Sequence, residues 1–168
     1  MHTSNEMKKC LKAGIVTTEM LSSAIFSCNK RAKNYRDKER QYRYFPIARQ
    51  KYRETKEEYY ECKDDLLRYV QPCAIHTVKR VRRKQGKMDT EITEKYLFYI
   101  IGDRSFHSPL LIISEKYKHL PIVQLDELET FGKEPSDLMS MQMVRKILLG
   151  LKDGSLRYVG SETTLMAA

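Results

Sequence analysis

Six arginines, Arg31, Arg36, Arg40, Arg43, Arg49 and Arg53, fall in one stretch with Tyr35, Tyr42, Tyr44, Phe45 and Tyr52 interleaved among them. Guanidinium forks hold phosphate oxygens, and bases stack on aromatic rings at about 1–3 kcal/mol per stack. The mixture therefore suits a polyanion with exposed bases. A second basic run, Lys79-Arg80-Val81-Arg82-Arg83-Lys84, is denser. On a strand its cations alternate across both faces, so at least one face must meet solvent or a phosphate backbone. Contacts of this kind position a nucleic acid without reading its sequence, which predicts weak sequence preference and steep salt dependence.

Other chemistry has less in its favour. Cys28, Cys62, Cys73 and His76 supply the sulfur and nitrogen donors that zinc takes, with Cys73 and His76 in a C-x-x-H spacing. Cys73, however, follows the base of a helical hairpin spanning about Thr18 to Val70, whereas Cys28 lies two turns up it, on the order of 10 Å away. Small buried hydrophobes explain the pair Cys28 and Cys62 better, so no metal is expected. His76 and His107 offer two imidazoles to a metal-independent nuclease. A histidine on an edge strand is more simply structural. The chain has no phosphate-cradling glycine loop, HExxH or GxSxG. We therefore assign no catalytic residue and no cofactor. Met139, Met141 and Met143 read as core filling ahead of an adaptable binding face.

The first basic group sits on two amphipathic segments. Leu21, Ile25, Cys28, Ala32 and Tyr35, with Tyr42 a heptad on, follow a 3.5-residue rhythm, and so do Ala48, Tyr52, Thr55, Tyr59, Cys62, Leu66 and Tyr69. That is the seam of two helices packed knobs-into-holes. Between them stands Tyr44-Phe45-Pro46, and proline suits the first turn of a helix but not its interior. Reversal at Phe45 sets Leu21 opposite Tyr69, Ile25 opposite Leu66, Cys28 opposite Cys62 and Tyr35 opposite Thr55. The same seams could also pair between two chains, so the oligomeric state stays open. Tyr44 and Phe45 fall at the tip, where a partner would meet them. Thr17 or Thr18 caps the first helix, and Gly14 stops a short one over Asn5 to Lys12.

Beyond Gln71-Pro72 the pattern changes. Strands are expected over Cys73 to Lys84, Lys95 to Ile101, Arg104 to Ile113 and Pro121 to Leu125, with a tight turn at Gly102-Asp103. A helix capped by Ser136 or Asp137 runs to about Leu149, with Leu138, Met141, Val144, Leu148 and Leu151 on its apolar face. A last strand covers Ser155 to Val159. The expected fold is α+β: an antiparallel helical hairpin, then a small, mainly antiparallel sheet with one C-terminal helix packed on it. The expected division is a helical region over 1–72 and an α+β region over 73–168, together one compact unit.

Of the net charge of +9, Lys30 to Glu57 carries +7 and Thr77 to Met88 carries +6, which leaves the remainder net acidic. Two basic patches on an otherwise acidic protein point to a polyanionic partner. No apolar run spans a bilayer, no signal core follows the first lysines and no CxxC pair occurs, so a reduced, cytoplasmic protein without a membrane partner is expected. These features support a non-enzymatic accessory protein that binds nucleic acid or a nucleoprotein complex. The rival reading is an adaptor or inhibitor that docks on a protein through the hairpin tip. By compositional analogy, phage and mobile-element factors acting on host nucleoprotein machines have this size and charge.

Overall fold

The computed structural model describes residues 4–82, 86, 88–109, 115–124 and 138–160. The chain is α+β, in the order helical hairpin, small sheet, C-terminal helix. It divides into two compact units, Met1–Val70 with Glu134–Ala168, and Gln71–Lys133.

In the first unit, α1 (Ser4–Lys12) leads through Gly14, whose φ of 74° suits glycine, into the two-residue strand β1 (Ile15–Val16). Thr17 caps α2 (Thr18–Gln41) by accepting the Met20 amide at 3.2 Å, and Glu19 occupies the first turn, where the helix dipole favours an acid. The chain reverses over residues 42–45, and α3 (Pro46–Leu67) starts on its proline, as expected. Tyr35 lies between Tyr52 and Tyr59, with ring centroids 6.0 and 5.6 Å away, which places it over Thr55. Cys28 and Cys62 are close enough for each to shift the other's thiol titration, and Lys63 donates to Asn29 at 3.1 Å on the adjoining rung. Ile25 and Leu66 are both fully buried. Tyr69, expected opposite Leu21, lies beyond the end of α3 at Leu67 and is partly exposed.

The C-terminal helix α4 (Met141–Asp153) belongs to this unit, and it brings with it the two-residue strand β6 (Arg157–Tyr158), paired parallel to β1. Its expected place was on the sheet. Instead Val144, Ile147, Leu148 and Leu151 are buried in the unit that also buries Met20, Leu21, Phe26 and Leu67 of the hairpin. Polar bonds fix the approach: Arg31 donates to the Met139 carbonyl at 2.7 Å, and Ser27 accepts the Met139 amide at 2.9 Å. The helix cap is Ser140, three or four residues later than expected, and it accepts the Met143 amide at 3.2 Å. Ser136 and Asp137 lie outside the described residues.

The second unit holds a four-stranded sheet in the order β4-β3-β2-β5. It comprises β2 (Ala74–Arg82), β3 (Thr90–Ile101), β4 (Arg104–Pro109) and β5 (Ile122–Gln124). All neighbours are antiparallel except β5, which runs parallel to β2. A single 3-10 turn over Glu115–Tyr117 precedes β5. β3 starts five residues earlier than its aromatic stretch predicts. Thr90 to Glu94 lack an apolar alternation but pair along the whole basic half of β2. Gly102, at φ 64°, turns β3 into β4. Leu97, Tyr99, Ile101 and Phe106 fill one face, and Ala74, His76 and Val78 are buried on the other. Residues 110–113 of the strand expected over Arg104 to Ile113 lie outside the described residues.

Candidate binding surface on the hairpin

The buried positions of α2 end at Ala32. From there outward the two helices pack on each other through aromatic rings. Tyr42 meets Tyr52 at 5.3 Å and Phe45 at 6.0 Å, and the Lys38 ammonium stands 4.8 Å over the Tyr35 ring. Tyr35, Tyr42 and Tyr52 are therefore seam residues, as their heptad positions predict. The turn exposes what the seam cannot use. Tyr44 is 78% exposed, Phe45 61% and Ile47 89%.

The six arginines of this segment are not equivalent. Arg31 is committed to the base of the hairpin through Met139. Arg49 donates to the Arg43 carbonyl at 3.3 Å and so braces the turn. Arg53, with Lys56, closes on Glu39 at 2.7 Å, and these two hydrogen-bonding cations, Lys56 first, hold the Glu39 carboxyl below its ordinary range. Arg36 lies 3.7 Å from Asp37, a weak exposed pair. Arg40 and Arg43 stand at the outer end, with the Arg43 guanidinium 4.8 Å over the Tyr44 ring. The tip thus gathers two exposed guanidinium groups, two exposed aromatic rings and one exposed aliphatic side chain. The sequence reading did not single out Ile47. Its place just after Pro46, off the heptad seam, is the signal that could have found it.

The second basic run is divided by its strand. Lys79 is exposed and lies 3.9 Å from Glu91 on β3, so its charge has a local counterpart. Arg80 and Arg82 belong to β2, but their side chains lie outside the described residues, as do Arg83 and Lys84 altogether.

His76 and His107 come together. They sit on the strands either side of β3, with ring centroids 4.9 Å apart and Phe98 packed against both. Yet His76 is 1% exposed and His107 9%. Burial pushes the His76 imidazole toward its neutral form, below the usual histidine range. Both imidazoles are shielded from solvent in this arrangement. Among the described residues, no three His, Cys, Asp or Glu side chains group as a metal site. Cys28 and Cys62 lie in the first unit, Cys73 and His76 in the second. No helix among the described residues is long and apolar enough to cross a membrane. No protein-family model, curated protein or solved structure matches the chain.

Proposed function

We propose that this protein is a non-enzymatic accessory factor that binds single-stranded regions of nucleic acid, free or within a nucleoprotein complex, through the tip of its helical hairpin. One observation carries the reading. Tyr44 and Phe45 are exposed beside Arg40 and Arg43, while the neighbouring cations Arg49 and Arg53 are held by contacts within the arm. Exposed rings for stacking, with guanidinium groups alongside, form the platform that single strands use. Arg36 extends the cationic edge down the arm. The Lys79–Lys84 run would add backbone contacts of its own. Four free cysteines suit a reduced, cytoplasmic setting.

Fluorescence anisotropy with single-stranded and duplex RNA and DNA at two salt concentrations tests this. Single strands are expected to bind more tightly, with affinity falling steeply as salt rises. Tyr44→Ala and Phe45→Ala should each weaken binding by roughly 5- to 150-fold, the equivalent of one stack of about 1–3 kcal/mol. No binding at low salt overturns the reading.

Ile47 favours a second one. An aliphatic side chain 89% exposed has no π face to offer a base, and with Tyr44, Phe45 and Arg43 it has the make-up of a protein hot spot. On this reading the hairpin is an adaptor or inhibitor prong. Ile47→Ser would then abolish partner binding while leaving any affinity for nucleic acid intact.

A further inference from the structure

Within the first unit, α1 and α4 flank an open cleft of about 610 Å³. Its volume lies in the range of about 300–1,000 Å³ found for ligand clefts. Leu11, Met143, Leu149 and Leu156 are its apolar lining. Leu149 is 63% exposed, an apolar side chain left open in the middle of a helix. Leu156 packs directly on α4 because residue 150 is glycine: a Cβ there would lie 2.3 Å from Leu156 Cδ1. The chain also ties the two residues together, since the Leu156 amide donates to the Gly150 carbonyl at 2.9 Å.

The rim is cationic. Lys8 and Lys12 stand one helical turn apart on α1, and Lys146 faces the cleft from α4. Among the described residues none of these three lysines has a carboxylate or hydrogen-bond partner. The one acid at the rim, Asp153, is engaged with the Ser155 amide at 2.8 Å. An apolar lining with unpaired ammonium groups contributed by two different helices matches several carboxylates carried along an apolar ridge.

We propose that this cleft is a docking site for an acidic amphipathic helix of a partner protein, laid between α1 and α4. The apolar face of that helix covers Leu11, Met143, Leu149 and Leu156, and its glutamates or aspartates reach Lys8, Lys12 and Lys146. This is recognition of a helix in a groove, with charge setting the partner's sign. The site is separate from the hairpin tip and does not depend on what the tip binds.

The probe is a fluorescein-labelled synthetic helix of about four turns, with leucine on one face and glutamate on the other. It is titrated into the full chain and followed by anisotropy. Saturable binding is expected, at least tenfold weaker for Lys146→Glu and for Leu149→Ser. Both positions are exposed, and equal melting temperatures would show that these variants are folded. Arg40→Ala/Arg43→Ala should leave this binding unchanged. A twin peptide with lysine in place of glutamate should not bind. Equal binding of the lysine twin or of a scrambled glutamate peptide overturns the proposal. So does loss of binding in the arginine variant with none in Leu149→Ser, which would assign the peptide to the hairpin.

Discussion

Lys63 carries its amine into the hairpin seam, where it is 7% exposed and bonded to Asn29. Burial lowers its pKa to about 8, against a smaller opposing pull from Asp64. The unfolded chain then holds more protons than the folded one between about pH 8 and the ordinary lysine value near 10.4. Stability should therefore rise with pH across that window, and below it the buried ammonium costs roughly 3 kcal/mol. Lys63→Met keeps the stem and removes the charge. We expect it to unfold at higher urea than the parent at pH 7, by about 1–3 kcal/mol, with the alkaline rise abolished. A loss of stability at pH 7 would refute this account of the residue. One rung away, the interaction between the Cys28 and Cys62 thiols raises the Cys28 pKa first, with burial adding, and lowers that of Cys62. Mild oxidation should join these two cysteines, which peptide mapping would show, and add about 2–4 kcal/mol against urea. Joining any other pair contradicts the register. The cysteine pairing was legible because both residues fall on heptad positions. Lys63 was not, because it reads as one more charge beside Asp64 and Asp65, and only the packing of α2 reveals that it is covered.

At the scale of elements, the hairpin was the most legible part because two independent seams and one proline agree on a single reversal. The position of α4 was not legible. An apolar stripe of Val144, Leu148 and Leu151 fits a sheet or a helix pair equally well, and the bonds that settle it join Ser27 and Arg31 to Met139 across more than a hundred residues. Two-residue strands such as β1 and β6 are too short to show a period of two, so their parallel pairing had no signal in the sequence. Gly150 is where α4 depends on the turn after its C-terminus. Alanine there gains up to about 1 kcal/mol of helix propensity. Its Cβ, however, would stand 2.4 Å from Leu156 Cγ, near the root of that side chain and not its flexible end. Overpacking of this kind costs about 1–3 kcal/mol. Gly150→Ala should therefore be neutral to destabilising by about 2 kcal/mol in urea unfolding, with Leu156 displaced. A clear gain in stability would mean that Leu156 does not pack on the helix as described.

For the whole molecule, the division into two units implies that one unfolding free energy does not describe it. The units carry opposite titration signatures. The helical unit holds Lys63, whose penalty is relieved at alkaline pH, and the sheet unit holds His76, whose effect falls on the acid side. Neither nitrogen of His76 has a hydrogen-bond partner among the described residues, and Phe98 and His107 occupy its flanks. Tyr96 pairs opposite it in the register, with its hydroxyl donating to Glu94. Among the described residues no carboxylate is paired with this imidazole, and a second imidazole 4.9 Å away makes charging both more costly. With the folded pKa below the unfolded value near 6.5, His76 contributes no penalty above that pH. As pH falls through 6.5 the unfolded state takes up the proton first, so the sheet unit loses stability down to its folded pKa. Hydrogen exchange at pH 7 and pH 5, corrected for the intrinsic rate, should then show amide protection falling in β2, β3 and β4 while α2 and α3 keep theirs. His76→Phe should retain the burial and remove the acid sensitivity of the sheet. If protection falls equally in both units, or survives at pH 5 in the parent protein, the buried histidine is not the acid-labile point, and the two units do not respond to pH separately.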